Sequence, residues 1–193
     1  LDQMAQIGPG VAGGCNRQTL TDADNAGRHL FKDWCEAAGM TMGVDTMGNM
    51  FFTREGTDPE ALPVYMGSHL DTQPTGGRYD GVLGVLGALE VVRTMNDMGV
   101  KTRHPIVVTN WTNEEGSRFS PAMLGSGVWA GVYSRAEADA RQCGRSCRRC
   151  RCGPKLDAIR RCCRGGPLHQ LSHQPNAYSR GAGTRGKQLL GGK

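Results

Sequence analysis

A strand, a helix and a second strand, which follow one another within about fifty residues, constrain the fold of this chain most. Residues 64–66 form a short apolar run that leads into Gly67-Ser68-His69, and residues 105–111 form a continuous apolar run typical of a buried parallel strand. Between them the sequence predicts a helix from about Val82 to Gly99, with Leu83, Leu86, Leu89, Val92 and Met95 on one face. The order predicts a βαβ unit, and therefore an α/β fold with a mostly parallel sheet flanked by helices.

The preceding part of the chain adds a helix and a hairpin to this unit. Thr21 can cap a helix whose apolar residues recur at steps of three and four until Gly39 ends it. Residues 42–53 alternate around Gly48-Asn49, which predicts a β-hairpin. Residues 1–20 are rich in glycine and are expected to be irregular.

Charge and cysteine content divide the chain in two. Residues 1–134 carry 9 Lys and Arg against 15 Asp and Glu, whereas residues 135–193 carry 14 against 3. Six of the eight cysteines fall in the second segment: Cys143, Cys147, Cys150, Cys152, Cys162 and Cys163. The second segment also lacks an apolar periodicity. We therefore predict that residues 1–134 belong to a folded domain and that residues 135–193 are an irregular basic tail.

Composition excludes some broad classes of protein. A chain of 193 residues is long enough for one domain with a core. It begins with Leu1, and neither a signal peptide nor a run of membrane-spanning length is recognisable. We expect a cytoplasmic protein with no membrane partner.

One imidazole and several carboxylates follow the predicted strands or a glycine-rich loop. They are His69, Asp71, Asp80, Glu114 and Glu115, and no lysine lies nearby in the sequence to neutralise them. Asp71 can accept a hydrogen bond from His69 and fix its tautomer. Adjacent glutamates point in different directions, so that one can bind a metal while the other acts as a general base. The pattern therefore favours a site for divalent metals that activates a water molecule.

Three glycine-punctuated runs resemble a known family. Residues 67–72, 76–81 and 113–119 resemble the signature of the binuclear-metal amidohydrolases in the M20 metallopeptidase superfamily, in wording and in spacing. The nearest branch is that of the N-carbamoyl-L-amino-acid hydrolases, β-ureidopropionases and allantoate amidohydrolases. The family's preceding sequence is matched at Asn16-Arg17, Leu20-Thr21, Asp45, Gly48-Asn49 and residues 53–59.

The resemblance implies that residues 1–134 are the N-terminal part of a metallohydrolase catalytic domain, and it implies a role for each candidate residue. His69 would bind one metal ion, Asp80 would bridge two, and Glu115 would bind a metal ion. Glu114 would be the catalytic base, and Asp71 would orient His69. The implied cofactors are two divalent metal ions, zinc or else manganese, cobalt or nickel.

The implied reaction is hydrolysis of a linear C–N bond in an N-carbamoyl-L-amino acid, which releases the amino acid, carbon dioxide and ammonia. Gln73 favours this carbamoyl branch over the peptidases. An allantoate-type ureido amidohydrolase is the alternative. The expected partner is a small ureido or N-carbamoyl substrate and not a nucleic acid. The family also forms homodimers through a lid domain that this chain lacks, so the residues that bind the substrate are unknown.

The chain departs from the family after the glutamate pair. The family has a further histidine ligand in a His-Ile-Glu-Gln-Gly setting, and another near the end of a chain about twice as long. His169 and His173 lie near the first of these distances but in a different sequence setting. We therefore expect a truncated chain with little or no activity.

Two hypotheses concern the tail. Its Arg, Gly and Cys content is typical of a GC-rich coding sequence read out of frame. Alternatively, Cys147-x2-Cys150 and His169-x3-His173 outline a zinc site in a non-catalytic fragment, with arginines suited to phosphates. Against this reading, no apolar residues stand where a zinc finger needs its small core.

Overall fold

The computed structural model describes residues 1–141, which form one mixed sheet with helices on it. Its elements, in chain order, are α1 (Asp2–Ala5), a 3-10 turn (Val11–Gly13), α2 (Asp22–Ala37), β1 (Thr41–Val44), β2 (Met50–Arg54), β3 (Val64–His69), α3 (Val82–Asp97), β4 (Ile106–Trp111), α4 (Leu124–Trp129) and α5 (Arg135–Asp139). Residues 142–193 lie outside the described residues, and they include the four proposed zinc ligands Cys147, Cys150, His169 and His173.

The sheet has the strand order β1-β2-β4-β3. Strands β3 and β4 are parallel and are joined by α3, so the βαβ unit and the α/β class are confirmed. Among residues 1–141, however, the sheet is mixed and not mostly parallel, because β1 pairs antiparallel with β2 and β2 pairs antiparallel with β4. The hairpin causes this difference, since it places its second strand directly against β4.

Helix α2 and the hairpin of β1 and β2 form where the sequence predicts them. The Thr21 side chain accepts a hydrogen bond from the backbone N–H of Asp24, which caps α2. Asp45 orders the hairpin turn, because its carboxylate accepts the backbone N–H groups of Met47 and Asn49. Phe31 of α2 packs edge-on against Phe52 of β2, with ring centroids 5.0 Å apart.

The buried face of α3 differs from the predicted one. Its buried residues are Val82, Val85, Ala88, Leu89 and Val92. Leu83, which the sequence analysis placed on the buried face, is 58% exposed. Because α3 is apolar on most of its circumference, the sequence alone allows two neighbouring stripes, and contact with the sheet selects one of them.

The described fold extends past the boundary predicted at residue 134. Ser134 caps α5 through a capping box with Glu137, and Ala138 is buried against Met47 and Leu124. The first residues of the predicted irregular tail are therefore helical. A short α1 and a 3-10 turn similarly interrupt the segment 1–20 that was expected to be irregular.

Within residues 1–141, none of the helices combines the length and the apolar character needed to cross a membrane.

Candidate metal and catalytic site

The candidate site lies at the C-terminal ends of the two parallel strands. His69 is the last residue of β3 and pairs in register with Trp111, the last residue of β4. The two glutamates, Glu114 and Glu115, follow β4 after two residues, and Asp80 lies in the loop just before α3 begins. The edge of the sheet that carries the carboxyl ends of parallel strands is where α/β folds place their sites, so the predicted residues converge there.

The hydrogen bond of His69 fixes which imidazole nitrogen faces the site. Nδ1 lies 2.8 Å from the backbone carbonyl oxygen of Asp71. A carbonyl oxygen can only accept, so Nδ1 carries the proton and, in the neutral ring, Nε2 presents its lone pair. Nε2 is 4.0 Å from an Asp80 oxygen and 3.2 Å from Glu114 Oε2. A buried imidazole lone pair that faces carboxylates is suited to a shared cation.

The three predicted metal ligands lie close together in space. His69, Asp80 and Glu115 each offer one ligand atom, and these atoms lie within 4.8 Å of one another. In the described part of the chain, Glu115 Oε1 is buried without a hydrogen-bond partner. A buried carboxylate oxygen without a partner is costly unless a cation or a donor satisfies it. The donor set of one imidazole nitrogen and carboxylate oxygens therefore fits a divalent metal.

Asp71 holds the backbone of the glutamate pair. Its carboxylate oxygens accept the backbone N–H groups of Glu114 at 3.2 Å and Glu115 at 3.3 Å. Asp71 accepts a hydrogen bond from His69, as the sequence predicts, but does so through its backbone carbonyl and not through its carboxylate. The carboxylate oxygen is 3.8 Å from Nδ1, and the Asp71 carbonyl takes the hydrogen bond because the chain turns directly after β3. Asp71 thus links the two strand ends.

Burial raises the pKa of Asp71 to about 6, and the negative charge of Asp24 acts in the same direction. His69, the backbone N–H of Glu114 and Arg28 oppose this shift. The raised pKa of Asp71 is therefore that of a buried carboxylate with several charged groups around it.

Gly81 makes room for the imidazole. Its φ is +67°, and a Cβ atom at this position would lie 2.5 Å from Cε1 and Nε2 of His69. Glycine alone combines a left-handed backbone with this close approach. The Asp80-Gly81 pair is therefore required by the packing of the site as well as by the turn before α3.

The turn after β4 places the two glutamates. Asn113 and Gly116 adopt left-handed φ values of 55° and 63° on either side of them. The Asn113 side chain donates to the carbonyl of Phe119, and the carbonyl of Glu114 accepts the backbone N–H of Met123. The loop that follows thus closes back on the turn and holds it.

Two buried polar residues that were not predicted to have this role support the turn. Asn49 is fully buried, and its Oδ1 accepts the backbone N–H of Thr112 at 2.9 Å. Arg28 is also buried and contacts the Thr112 hydroxyl. A signal was present, because Arg28 lies four residues after Asp24 on the predicted helix, which is the spacing of a helical ion pair. Asn49, in contrast, was explained by the hairpin alone.

Gln73, in the loop after β3, donates a hydrogen bond from Nε2 to Glu115 Oε2 at 3.0 Å. This contact leaves the other carboxylate oxygen of Glu115 for a second interaction.

Known amidohydrolases and amidases resemble this chain in sequence and in fold. An N-carbamoyl-L-amino-acid amidohydrolase of Rhizobium meliloti is 73% identical over 142 residues, which are 74% of this chain and 34% of that protein. Allantoate deiminase 1 of Glycine max is 36% identical over 124 residues, 63% of this chain and 26% of that protein. A crystal structure of a hydantoinase/carbamoylase family amidase from Burkholderia ambifaria superposes with a TM-score of 0.77 at 52% identity, covering 85% of this chain and 39% of that one.

The chain spans about a third or less of the length of these curated relatives. Residues 65–176 match the family described as Peptidase family M20/M25/M40, and the matched range continues past the last described residue. This match covers more than half of the chain and includes every predicted metal ligand. The chain therefore belongs to peptidase family M20/M25/M40.

Proposed function

We propose that this chain is the N-terminal part of the catalytic domain of an amidohydrolase that cleaves the linear C–N bond of N-carbamoyl-L-amino acids. The observation that carries the proposal is the meeting of His69, Asp80 and Glu115 ligand atoms within 4.8 Å beside the carboxylate of Glu114. The relative of 73% identity, which is named for this substrate class, supports the choice of substrate.

Each residue of the site has a distinct proposed task. His69, Asp80 and Glu115 would hold the divalent metal ions. Zinc, manganese, cobalt and nickel all suit an imidazole with carboxylates. When bound, such an ion would supply Lewis-acid activation of a water molecule and of the scissile carbonyl.

Glu114 is the proposed general base. Its side chain is 30% exposed, and its Oε2 lies 3.2 Å from His69 Nε2, so it reaches both the ligands and the solvent. Its carboxylate would take a proton from the attacking water and return it to the leaving nitrogen. Asp71 would hold the geometry by fixing the backbone of both glutamates and orienting His69 through its carbonyl.

An allantoate-type activity is the second candidate, because allantoate deiminase 1 of Glycine max is 36% identical over 63% of this chain. The 193-residue chain matches 34% of the length of the Rhizobium meliloti relative, and the His-Ile-Glu-Gln-Gly setting of the family's further histidine does not occur in its sequence. We therefore expect low activity of this chain by itself. A homodimer is the assembly expected from the family.

A chimera tests the proposed function directly. Residues 1–141 replace the matching segment of the Rhizobium meliloti relative, and ammonia release is measured with an N-carbamoyl-L-amino acid and with allantoate. We expect hydrolysis of the carbamoyl compound. The Glu114→Gln variant should lower kcat by about 10²–10⁴-fold, whereas Glu60→Gln, an exposed change far from the site, should have no effect.

Two outcomes would contradict the proposal. A folded, metal-loaded chimera without hydrolysis would refute a catalytic role of the segment, and an active Glu114→Gln chimera would refute the assigned base. Faster turnover of allantoate than of the carbamoyl compound would favour the second candidate.

A further inference from the structure

The Arg28 guanidinium, close to the site, donates hydrogen bonds to three separate groups. Nε donates to both carboxylate oxygens of Asp24 at 3.0 Å, and Nη1 donates to the carbonyl of Gly48 at 2.9 Å. Nη2 donates to the Thr112 hydroxyl at 3.2 Å. Arg28 is only 6% exposed and Asp24 1%, so these contacts form away from solvent. One side chain on α2 thus ties the hairpin turn to the end of β4.

Thr112 is the point at which this anchoring reaches the site. Its side chain is held by Arg28, its backbone N–H by Asn49, and its carbonyl accepts the backbone N–H of Gly125. Glu114 and Glu115 follow after a single intervening residue. A displacement of Thr112 therefore moves both glutamates relative to His69, which belongs to a different strand.

Arg28 also neutralises a buried carboxylate. Its Nε lies 3.0 Å from an oxygen of Asp24, which is 1% exposed. A carboxylate enclosed in this way needs the guanidinium, because an uncompensated buried charge is costly.

We infer that Arg28 is a positioning residue for metal binding, which acts through Thr112 on Glu114 and Glu115 and whose charge compensates Asp24. The inference rests on the proposed function. A lysine at this position keeps the charge but cannot donate to three separately placed groups, because its ammonium is a single point. The charge and the positioning parts of the role can therefore be separated by substitution.

Cobalt(II) provides a probe that distinguishes positioning from stability. We would titrate Co²⁺ into the full 193-residue chain and record the affinity and the visible absorption bands, which depend on ligand geometry. The variants are Arg28→Met, Arg28→Lys and Thr112→Val. Arg54→Met is the matched control, because Arg54 binds Asn96 and the carbonyl of Val100 far from the site. Near-UV circular dichroism establishes that each variant is folded.

We expect Arg28→Met to weaken Co²⁺ binding by about tenfold or more, in the range found when residues that support metal ligands are removed. Arg28→Lys should recover part of the affinity but keep a shifted spectrum. Thr112→Val should show a smaller loss in the same direction, and it carries the test if Arg28→Met does not fold. The control Arg54→Met should bind like the unmodified chain.

Folded Arg28→Met or Thr112→Val with unchanged affinity and spectrum would overturn the inference, whatever happens to the melting temperature, and would leave the proposed function standing. Absence of Co²⁺ binding by the unmodified chain would refute the metal site itself, and the inference with it.

Discussion

The candidate site has an enclosed side and an open side, and the chain holds them in different ways. On the enclosed side, the His69 and Asp71 side chains are 7% and 1% exposed. His69 contacts the Glu114 carboxylate, and Asp71 accepts the backbone N–H groups of Glu114 and Glu115, which follow β4. On the open side, the Asp80 side chain is 58% exposed and the Glu114 side chain 30%. The open side meets solvent and is free to meet a substrate.

This difference separates the residues that build the site from the residues that perform its chemistry. The enclosed polar groups are paired with one another, so removing one leaves another without a partner at a cost in folding free energy. The exposed carboxylates make few contacts with the rest of the chain, so replacing them changes mainly what the site binds. We therefore expect substitutions on the enclosed side to lower mainly the free energy of unfolding, and substitutions on the open side to lower mainly metal binding.

The largest loss of stability is expected from Asn49→Ala on the enclosed side. The Asn49 amide contacts Asp45, the carbonyl of Gly125 and the backbone N–H of Thr112. Removing it leaves those groups unsatisfied, and we expect the free energy of unfolding in urea to fall by about 2–4 kcal/mol.

Asn96→Ala is the control for this loss, because the Asn96 amide also makes two hydrogen bonds but lies at the surface. It should cost less than about 1 kcal/mol. Equal losses of unfolding free energy in Asn49→Ala and Asn96→Ala would contradict a stabilising role of the enclosed hydrogen bonds.

The next effect is expected from Gly81→Ala, which inserts a methyl group against the His69 ring at a left-handed backbone position. The free energy of unfolding should fall by about 1–3 kcal/mol, and metal affinity should fall with it because the ring is displaced.

Gly87 offers a matched change on the same helix, since nothing lies within 4 Å of a Cβ atom built there. Gly87→Ala should raise the free energy of unfolding by about 0.5–1 kcal/mol, because alanine loses less backbone entropy in a helix. A stable Gly81→Ala with normal metal binding would show that the imidazole can move without consequence.

The smallest effect on stability is expected from Asp80→Asn on the open side. Its free energy of unfolding should stay within about 0.5 kcal/mol of the unmodified chain, while bound metal is lost because a charged ligand is replaced by a neutral amide. Asp97→Asn, an exposed change at the end of α3, should alter neither quantity. A large loss of stability in Asp80→Asn would place Asp80 on the enclosed side.

The sequence was sufficient to predict the elements that carry the site. The end of β3 at His69, the start of α3 at Val82 and the buried β4 all follow from apolar runs and glycines, and the structure confirms them. Their convergence follows from the topology of a βαβ unit, because both parallel strands end at the same edge of the sheet. Local sequence patterns are therefore enough to predict where the ligands lie.

The sequence was not sufficient for the features that depend on contacts between distant parts of the chain. Contact with the sheet determines which face of α3 is buried. The exposed Leu83 shows that sequence alone does not predict the buried face of a helix that is apolar on most of its circumference. Arg28 and Thr112 are 84 positions apart, so no local window contains the pair. The hydrogen bond of His69 to the Asp71 carbonyl depends on a turn whose geometry residue types alone do not define.

Metal content of the purified 193-residue chain, measured by elemental analysis with and without Glu115→Ala, tests the central claim most directly. The account predicts that the chain retains divalent metal through His69, Asp80 and Glu115 and that Glu115→Ala, which removes a buried ligand oxygen, loses it. Glu55→Ala, an exposed change away from the site, should leave the content unchanged. Metal content that is negligible, or that is the same with and without the Glu115 carboxylate, would contradict the claim that these residues form a metal site.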